Sequence, residues 1–153
     1  MKTVHKSVLI WYSADEMFAL VTQVAQYPQF LPWCDRATVL AEDAEGMTAE
    51  VGISFGGIRQ TFTTRNRHVA GRRIEMTLVN GPFSQLEGTW EFKPLDTGAV
   101  APGDGLAKAC RVEFTLNYGF ANAALAALVG PVFDKIAGSL VDAFVKRAEQ
   151  VYG

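Results

Sequence analysis

The chain has 153 residues, 49% of them hydrophobic and 20% charged, which suits one globular domain over 1–153 and excludes a disordered or low-complexity chain. With 14 basic against 16 acidic side chains the net charge is −2, so no global positive charge drives binding to DNA or to an anionic membrane. Two cysteines, Cys34 and Cys110, are too few for a disulfide framework and predict free thiols in a reducing compartment.

Thr3 to Trp11 is rich in β-formers and predicts a first strand. No charged-then-apolar leader precedes it, and the expected location is cytoplasmic. Ser13-Ala14-Asp15-Glu16 is a capping box, with the serine hydroxyl and the Glu16 carboxylate satisfying each other's backbone N–H groups. Met17, Leu20, Val21 and Val24 follow at helical spacing. Pro28 and Pro32 then predict a turn or a broken short helix around Phe30, Leu31 and Trp33.

From Asp35 to Tyr118 the period becomes two. Ala37, Val39 and Ala41 form one row, and Glu42, Asp43 and Glu45 fall in a turn as solvated charges. Met47, Ala49, Val51, Ile53 and Phe55 share the next inward face. Gly56-Gly57 signals a hairpin. Phe62 and Thr64 then oppose Arg59, Thr61 and Arg65. Gly71 precedes Ile74, Met76 and Leu78, and Asn80-Gly81-Pro82 marks another turn. Leu86, Gly88, Trp90 and Phe92 form an inward row. A Gly/Pro/Asp-rich hairpin loop is expected from about Leu95 to Gly105. Cys110, Val112, Phe114, Leu116 and Tyr118 complete an antiparallel meander.

The last stretch is helical. Leu125, Val129, Val132, Ile136, Leu140, Phe144 and Ala148 trace a stripe at spacings of three and four. Pro131 is expected to kink this helix or to mark its true start. Its longest apolar stretch falls short of the roughly 18 unbroken residues of a membrane span. The fold class is therefore α+β: an antiparallel sheet with one apolar face, covered by the terminal helix, with room for an apolar cavity between them.

Chemistry-bearing motifs are sparse. His5 and His68 stand near no nucleophile elbow, and no P-loop or dinucleotide fingerprint occurs. His5, Cys34, His68 and Cys110 lack metal-ligand spacing. No catalytic residue, metal or required cofactor is expected. Arg59, Arg65 and Arg67 share strand parity, with Arg72 and Arg73 nearby and no acidic residue between Glu50 and Glu75. They predict either a solvated outer sheet face or a local patch for phosphates. The stiff apolar segment Tyr27-Pro28-Gln29-Phe30-Leu31-Pro32-Trp33-Cys34 either gates a cavity or plugs the end of the sheet.

That segment, preceded by its capped helix, resembles the coenzyme Q-binding START-like family of the polyketide cyclase-like superfamily. Leu86-Glu87-Gly88-Thr89-Trp90-Glu91-Phe92 and the ending from Val141 to Gly153 are similar too. Two features depart from the family pattern: a long loop around Leu95 to Gly105, and Gly119 where an acidic residue is expected. The resemblance implies a helix-grip fold, a curved antiparallel sheet around a long C-terminal helix, and a non-enzymatic domain with an apolar cavity. Its implied ligand is ubiquinone or a related isoprenoid quinone or lipid, in support of respiration, with possible transient contact at the inner membrane surface. The candidate lining residues are Phe55, Phe62, Met76, Leu86, Trp90, Phe114 and Leu116 on strands, Val132, Ile136 and Leu140 on the helix, and Phe30, Leu31 and Trp33 at the opening. Bacterial members of the family imply an alternative, a toxin that binds the large ribosomal subunit and blocks subunit joining, with Arg59, Arg65 and Arg67 as candidate RNA contacts. A cyclase or dehydratase is a second alternative, hosted by related folds.

Overall fold

The computed structural model describes residues 2–55, 57–95 and 109–153. The expected loop between Leu95 and Gly105 lies mostly outside them, as does Gly56. Elements run β1 (Lys2–Ile10), α1 (Ala14–Thr22), a 3-10 helix (Val24–Gln29), β2 (Cys34–Asp43), β3 (Gly46–Phe55), β4 (Ile58–Val69), β5 (Arg73–Asn80), β6 (Phe83–Pro94), β7 (Cys110–Phe120) and α2 (Ala123–Tyr152).

The seven strands form one antiparallel sheet in the order β1-β7-β6-β5-β4-β3-β2. Strands β2 to β7 are a meander, and β1 returns beside β7. The predicted inward rows of β6 and β7 are buried, with Trp90, Phe92, Phe114 and Tyr118 almost fully so. β2 departs from simple alternation. Bulges near Cys34–Arg36 and Val39–Ala41 shift its register, and beyond them Leu40 and Ala41 both lie exposed. An extra residue on one strand breaks the parity that an unbulged pattern assumes.

The capping box forms as the sequence dictates. The Glu16 backbone N–H donates to Ser13 Oγ at 3.0 Å, and the Ser13 N–H donates to Glu16 Oε1 at 2.9 Å. Pro28 sits inside the 3-10 helix, whose short run tolerates the missing donor.

α2 begins at Ala123, where Asn122 accepts from the Leu125 N–H. Pro131 therefore does not mark its start; it lies within the helix. The donor that it lacks would have met the Ala127 carbonyl, and Ala127 is exposed, so water can take that place. The buried face carries Val129, Phe133, Ile136, Ala137, Val141, Phe144 and Ala148. Leu125, Val132 and Leu140 are half-buried at its border. By length and composition α2 would pass for a membrane span, but its buried face packs into the core of this domain.

Two apolar clusters share that interior. One joins α1, β6, β7 and α2; the other joins the 3-10 helix, Leu31 and Cys34 to Met47, Ala49 and Val51 of β3. Phe144 connects them. Its ring lies 5.5 Å from Tyr27, 5.3 Å from Phe30 and 5.3 Å from Trp90, each near-perpendicular, the edge-to-face geometry that ring quadrupoles favour.

Candidate functional site

Between the sheet and α2 lies a cavity of about 90 Å³. Strands β3 to β7 form its wall on one side through Ala49, Val51, Phe62, Met76, Leu86, Trp90, Phe114 and Leu116. Phe133, Ile136, Ala137, Leu140 and Phe144 of α2 close the other side, and Val24 and Tyr27 reach in from the 3-10 helix. Gly88 lets Met76 and Leu116 of this wall close over its backbone, since a Cβ there would stand 2.5 Å from Met76 Cε and 3.1 Å from Leu116 Cδ1.

Eight of the expected lining residues stand in this wall: Phe62, Met76, Leu86, Trp90, Phe114, Leu116, Ile136 and Leu140. Five stand elsewhere. Phe55 lies at the end of β3 and is 45% exposed, outside the cavity wall. Leu31 is buried in the second cluster against β3. Val132 sits at the border of the helix stripe. Phe30 and Trp33 are half-buried against the core outside the cavity wall, and with Pro32, Phe55, Ala143 and Arg147 they line a surface groove of about 450 Å³. The Arg147 guanidinium rests over the Phe30 ring, 5.0 Å from its centroid. Tyr27 is the member of the aromatic-proline segment that reaches the cavity.

Val24, Tyr27, Ala49, Val51, Thr64, Asn66, Phe133, Ala137 and Phe144 also line the cavity, though the sequence did not nominate them for it. Phe144 lies on the expected helical stripe, and Phe133 and Ala137 stand one residue round from it. Thr64 and Asn66 are polar members of the inward row of β4, and both are buried.

Among the lining residues Tyr27 alone carries a titratable group. Burial, with Cys34 nearby, raises its pKa well above the ordinary phenol value, and its hydroxyl donates to the Val21 carbonyl. It is thus held neutral and occupied, unsuited to proton transfer. Cys34 and Cys110 are free and buried, each pushed up to about 11 chiefly by burial; protonated thiols are poor nucleophiles. Among the described residues no cluster of three or more His, Cys, Asp or Glu side chains could hold a metal ion.

The arginines lie outside the cavity. Phe62, Thr64 and Asn66 face in, and Arg59, Arg65 and Arg67 belong to the opposite row of β4. Fold topology changes their electrostatics. β2 brings Asp43 within 2.9 Å of Arg65 through both carboxylate oxygens, and Asp35 within 3.3 Å of Arg59. Asp43 is thus an ion-pair partner and not merely a solvated turn charge. It also caps the turn, accepting from the N–H groups of Glu45 and Gly46. Arg67 makes no ion pair among the described residues. The segment is less basic than its sequence because its acids come from a strand that is distant along the chain.

Comparison with known proteins agrees with this architecture. The family model for polyketide cyclase / dehydrase and lipid transport proteins matches residues 10–145. The ribosome association toxin RatA of Pseudomonas aeruginosa is 42% identical over 98% of this chain and 97% of its own. The mitochondrial coenzyme Q-binding protein COQ10 homolog B of Xenopus laevis is 25% identical over 97% of this chain and 58% of its own. Among solved structures, the Zhui aromatase/cyclase from Streptomyces sp. R1128 superposes with a TM-score of 0.82 at 16% identity, covering 99% of this chain and 96% of that one; the likeness is one of fold. The chain belongs to the polyketide cyclase / dehydrase and lipid transport family and is a homologue of the RatA proteins.

Proposed function

We propose that this chain is a non-enzymatic protein that associates with the ribosome through its exterior, on the large subunit, and opposes subunit joining there. One observation carries this reading: 42% identity to a ribosome association toxin along nearly the whole of both chains. A cytoplasmic location follows from such a partner. Binding to ribosomal RNA needs cations free to meet phosphates. Arg67 is the arginine of β4 available without breaking an ion pair, and the exposed Arg59–Asp35 pair is weak enough to exchange. The test is co-sedimentation with purified large subunits over a salt series. Affinity should fall steeply as salt rises. Arg67→Gln should weaken co-sedimentation severalfold, and a variant that sediments like the wild type would remove this patch from the interface.

A second activity, compatible with the first, is favoured by the cavity: uptake of an apolar molecule, with ubiquinone or a related quinone or lipid as the candidate. Support comes from the apolar wall and from the coenzyme Q-binding relative. The cavity at about 90 Å³ has the volume of roughly three waters, against about 300 Å³ or more for ordinary ligand pockets. A quinone therefore enters only as the wall yields. Met76, whose flexible thioether lies over Gly88, can move at small cost. Trp90 reports on occupancy, being buried and part of the wall. A short-tailed ubiquinone should quench its emission, with a Trp90→Phe variant separating its signal from Trp11 and Trp33. Unchanged fluorescence together with unchanged amide NMR shifts at saturation would refute this second activity. The wall's lack of an acid–base pair argues against cyclase or dehydratase chemistry at this site.

A further inference from the structure

Inside the apolar wall one polar group has no counterpart. Thr64 and Asn66 stand on the cavity-facing row of β4 at 5% and 7% exposure. Thr64 Oγ1 donates to Asn66 Oδ1 at 2.7 Å, in a buried bond. That bond occupies the amide oxygen and fixes the side chain's orientation. The amide nitrogen has two N–H donors, and among the described residues no side-chain hydrogen bond uses them. It is not sealed in protein either, because among the described residues no fully buried side-chain nitrogen or oxygen lacks a partner. Asn66 Nδ2 therefore keeps some surface, and its residue lines the cavity.

The rest of the wall decides what such a donor can meet. No Asp or Glu lines it, so a cationic ligand would be buried unpaired. No Lys, Arg or His lines it, so an anionic ligand would be too, and either burial is costly. What remains is a neutral molecule with a hydrogen-bond acceptor on an apolar body. We propose that Asn66 is the polar anchor of the cavity, donating from Nδ2 to a carbonyl oxygen of a neutral apolar ligand, with Thr64 as the positioning residue that holds the amide in place. The aromatic wall beside it, where the rings of Trp90 and Phe114 lie 4.5 Å apart, suits a flat conjugated ring. This assignment rests on the reading of the cavity as a ligand site.

Carbonyl chemistry of this kind comes from a quinone ring or from an acyl ester, and three probes separate the cases. Duroquinone has two ring carbonyls, and its full substitution leaves no open position for addition of the Cys34 or Cys110 thiol. Durene has the same methylated ring without the carbonyls. Methyl octanoate has an acyl carbonyl on a flexible chain. The wild-type protein should bind duroquinone about five- to tenfold more tightly than durene, the worth of one hydrogen bond. The Asn66 side-chain amide resonances should shift with duroquinone and not with durene, a readout that needs no variant to fold. Asn66→Leu should erase the preference by weakening duroquinone alone, and Thr64→Val should reduce it in part. An Asn66-dependent preference confined to methyl octanoate would support the anchor and identify an acyl ligand. Equal binding of duroquinone, methyl octanoate and durene, or an Asn66 amide silent to both carbonyl probes, would overturn the assignment while leaving the cavity a ligand site. If no probe binds the wild-type protein, the cavity reading fails and the anchor with it.

Discussion

His68 lies edge-on to Phe18, with ring centroids 5.7 Å apart. Burial disfavours its imidazolium; nearby Glu42 opposes that effect and Arg65 adds to it, with a net pKa below the ordinary value. The unfolded chain then binds the proton more readily than the folded one. Above the ordinary histidine pKa of about 6.5 both states are neutral and stability is unaffected. As pH falls below that value stability declines, until the folded-state pKa is passed. Urea midpoints should therefore be lower at pH 5.5 than at pH 7.5, and His68→Phe should narrow the difference; an undiminished difference in the variant would assign the pH dependence to other groups. A second residue-scale test concerns Phe144, which is 1% exposed and touches three aromatic rings. Phe144→Leu should cost about 1–3 kcal/mol in a denaturant titration, less than the roughly 3–5 of truncation to Ala. Parity made Trp90 and Phe114 legible as inward residues. Asn66 was not found because it is a polar residue in an apolar row, and its partner Thr64 marked the end of the row that could be followed. A core side chain chosen for packing alone would be apolar, so a polar residue in that row breaks the pattern on which the sequence reading relied.

At the scale of elements, local chemistry was the most readable layer. The Ser13–Glu16 box specifies the start of α1 through its own hydrogen bonds, so Ser13→Ala should destabilise the protein by about 1 kcal/mol in thermal melts. Gly71, in the turn before β5, has φ of +70°, and a Cβ there would lie 2.1 Å from Asp15 Oδ1. Asp15 is exposed and can swing away, so the backbone sets the outcome. Gly71→Ala should cost about 1 kcal/mol or more, measured against a neutral surface substitution. Less readable were features fixed by neighbours. Phe55 keeps the parity of β3 but lines a surface groove and stays 45% exposed. The buried stripe of α2 runs through Phe133, Ala137 and Val141, because helix rotation is set by how Phe144 and Phe133 seat among rings from other elements. The i, i+3, i+4 pattern admits either rotation, and both stripes share Val129, Ile136, Phe144 and Ala148.

At the scale of the whole molecule, the meander with its covering helix was legible because each strand is followed by a short turn and one long amphipathic helix remains. The charge distribution was not. Arg59 and Arg65 look unpaired along the chain, and they find Asp35 and Asp43 because β3 separates β2 and β4 by only one strand. β4 turns Phe62, Thr64 and Asn66 to the apolar cavity and Arg67 to the exterior, so the two proposed activities fall on opposite faces. Ribosome binding and ligand binding should therefore be separable. Gly88→Val, which adds bulk beside Met76 and Leu116, should impair duroquinone binding and leave co-sedimentation unchanged. The most direct measurement is a sucrose-gradient profile of separated large and small ribosomal subunits, mixed under joining conditions with the purified wild-type protein at low salt. The account predicts that the protein migrates with the large subunit and that the joined-ribosome peak shrinks as protein is added. A protein that stays at the top of the gradient, with joined ribosomes undiminished, would contradict it.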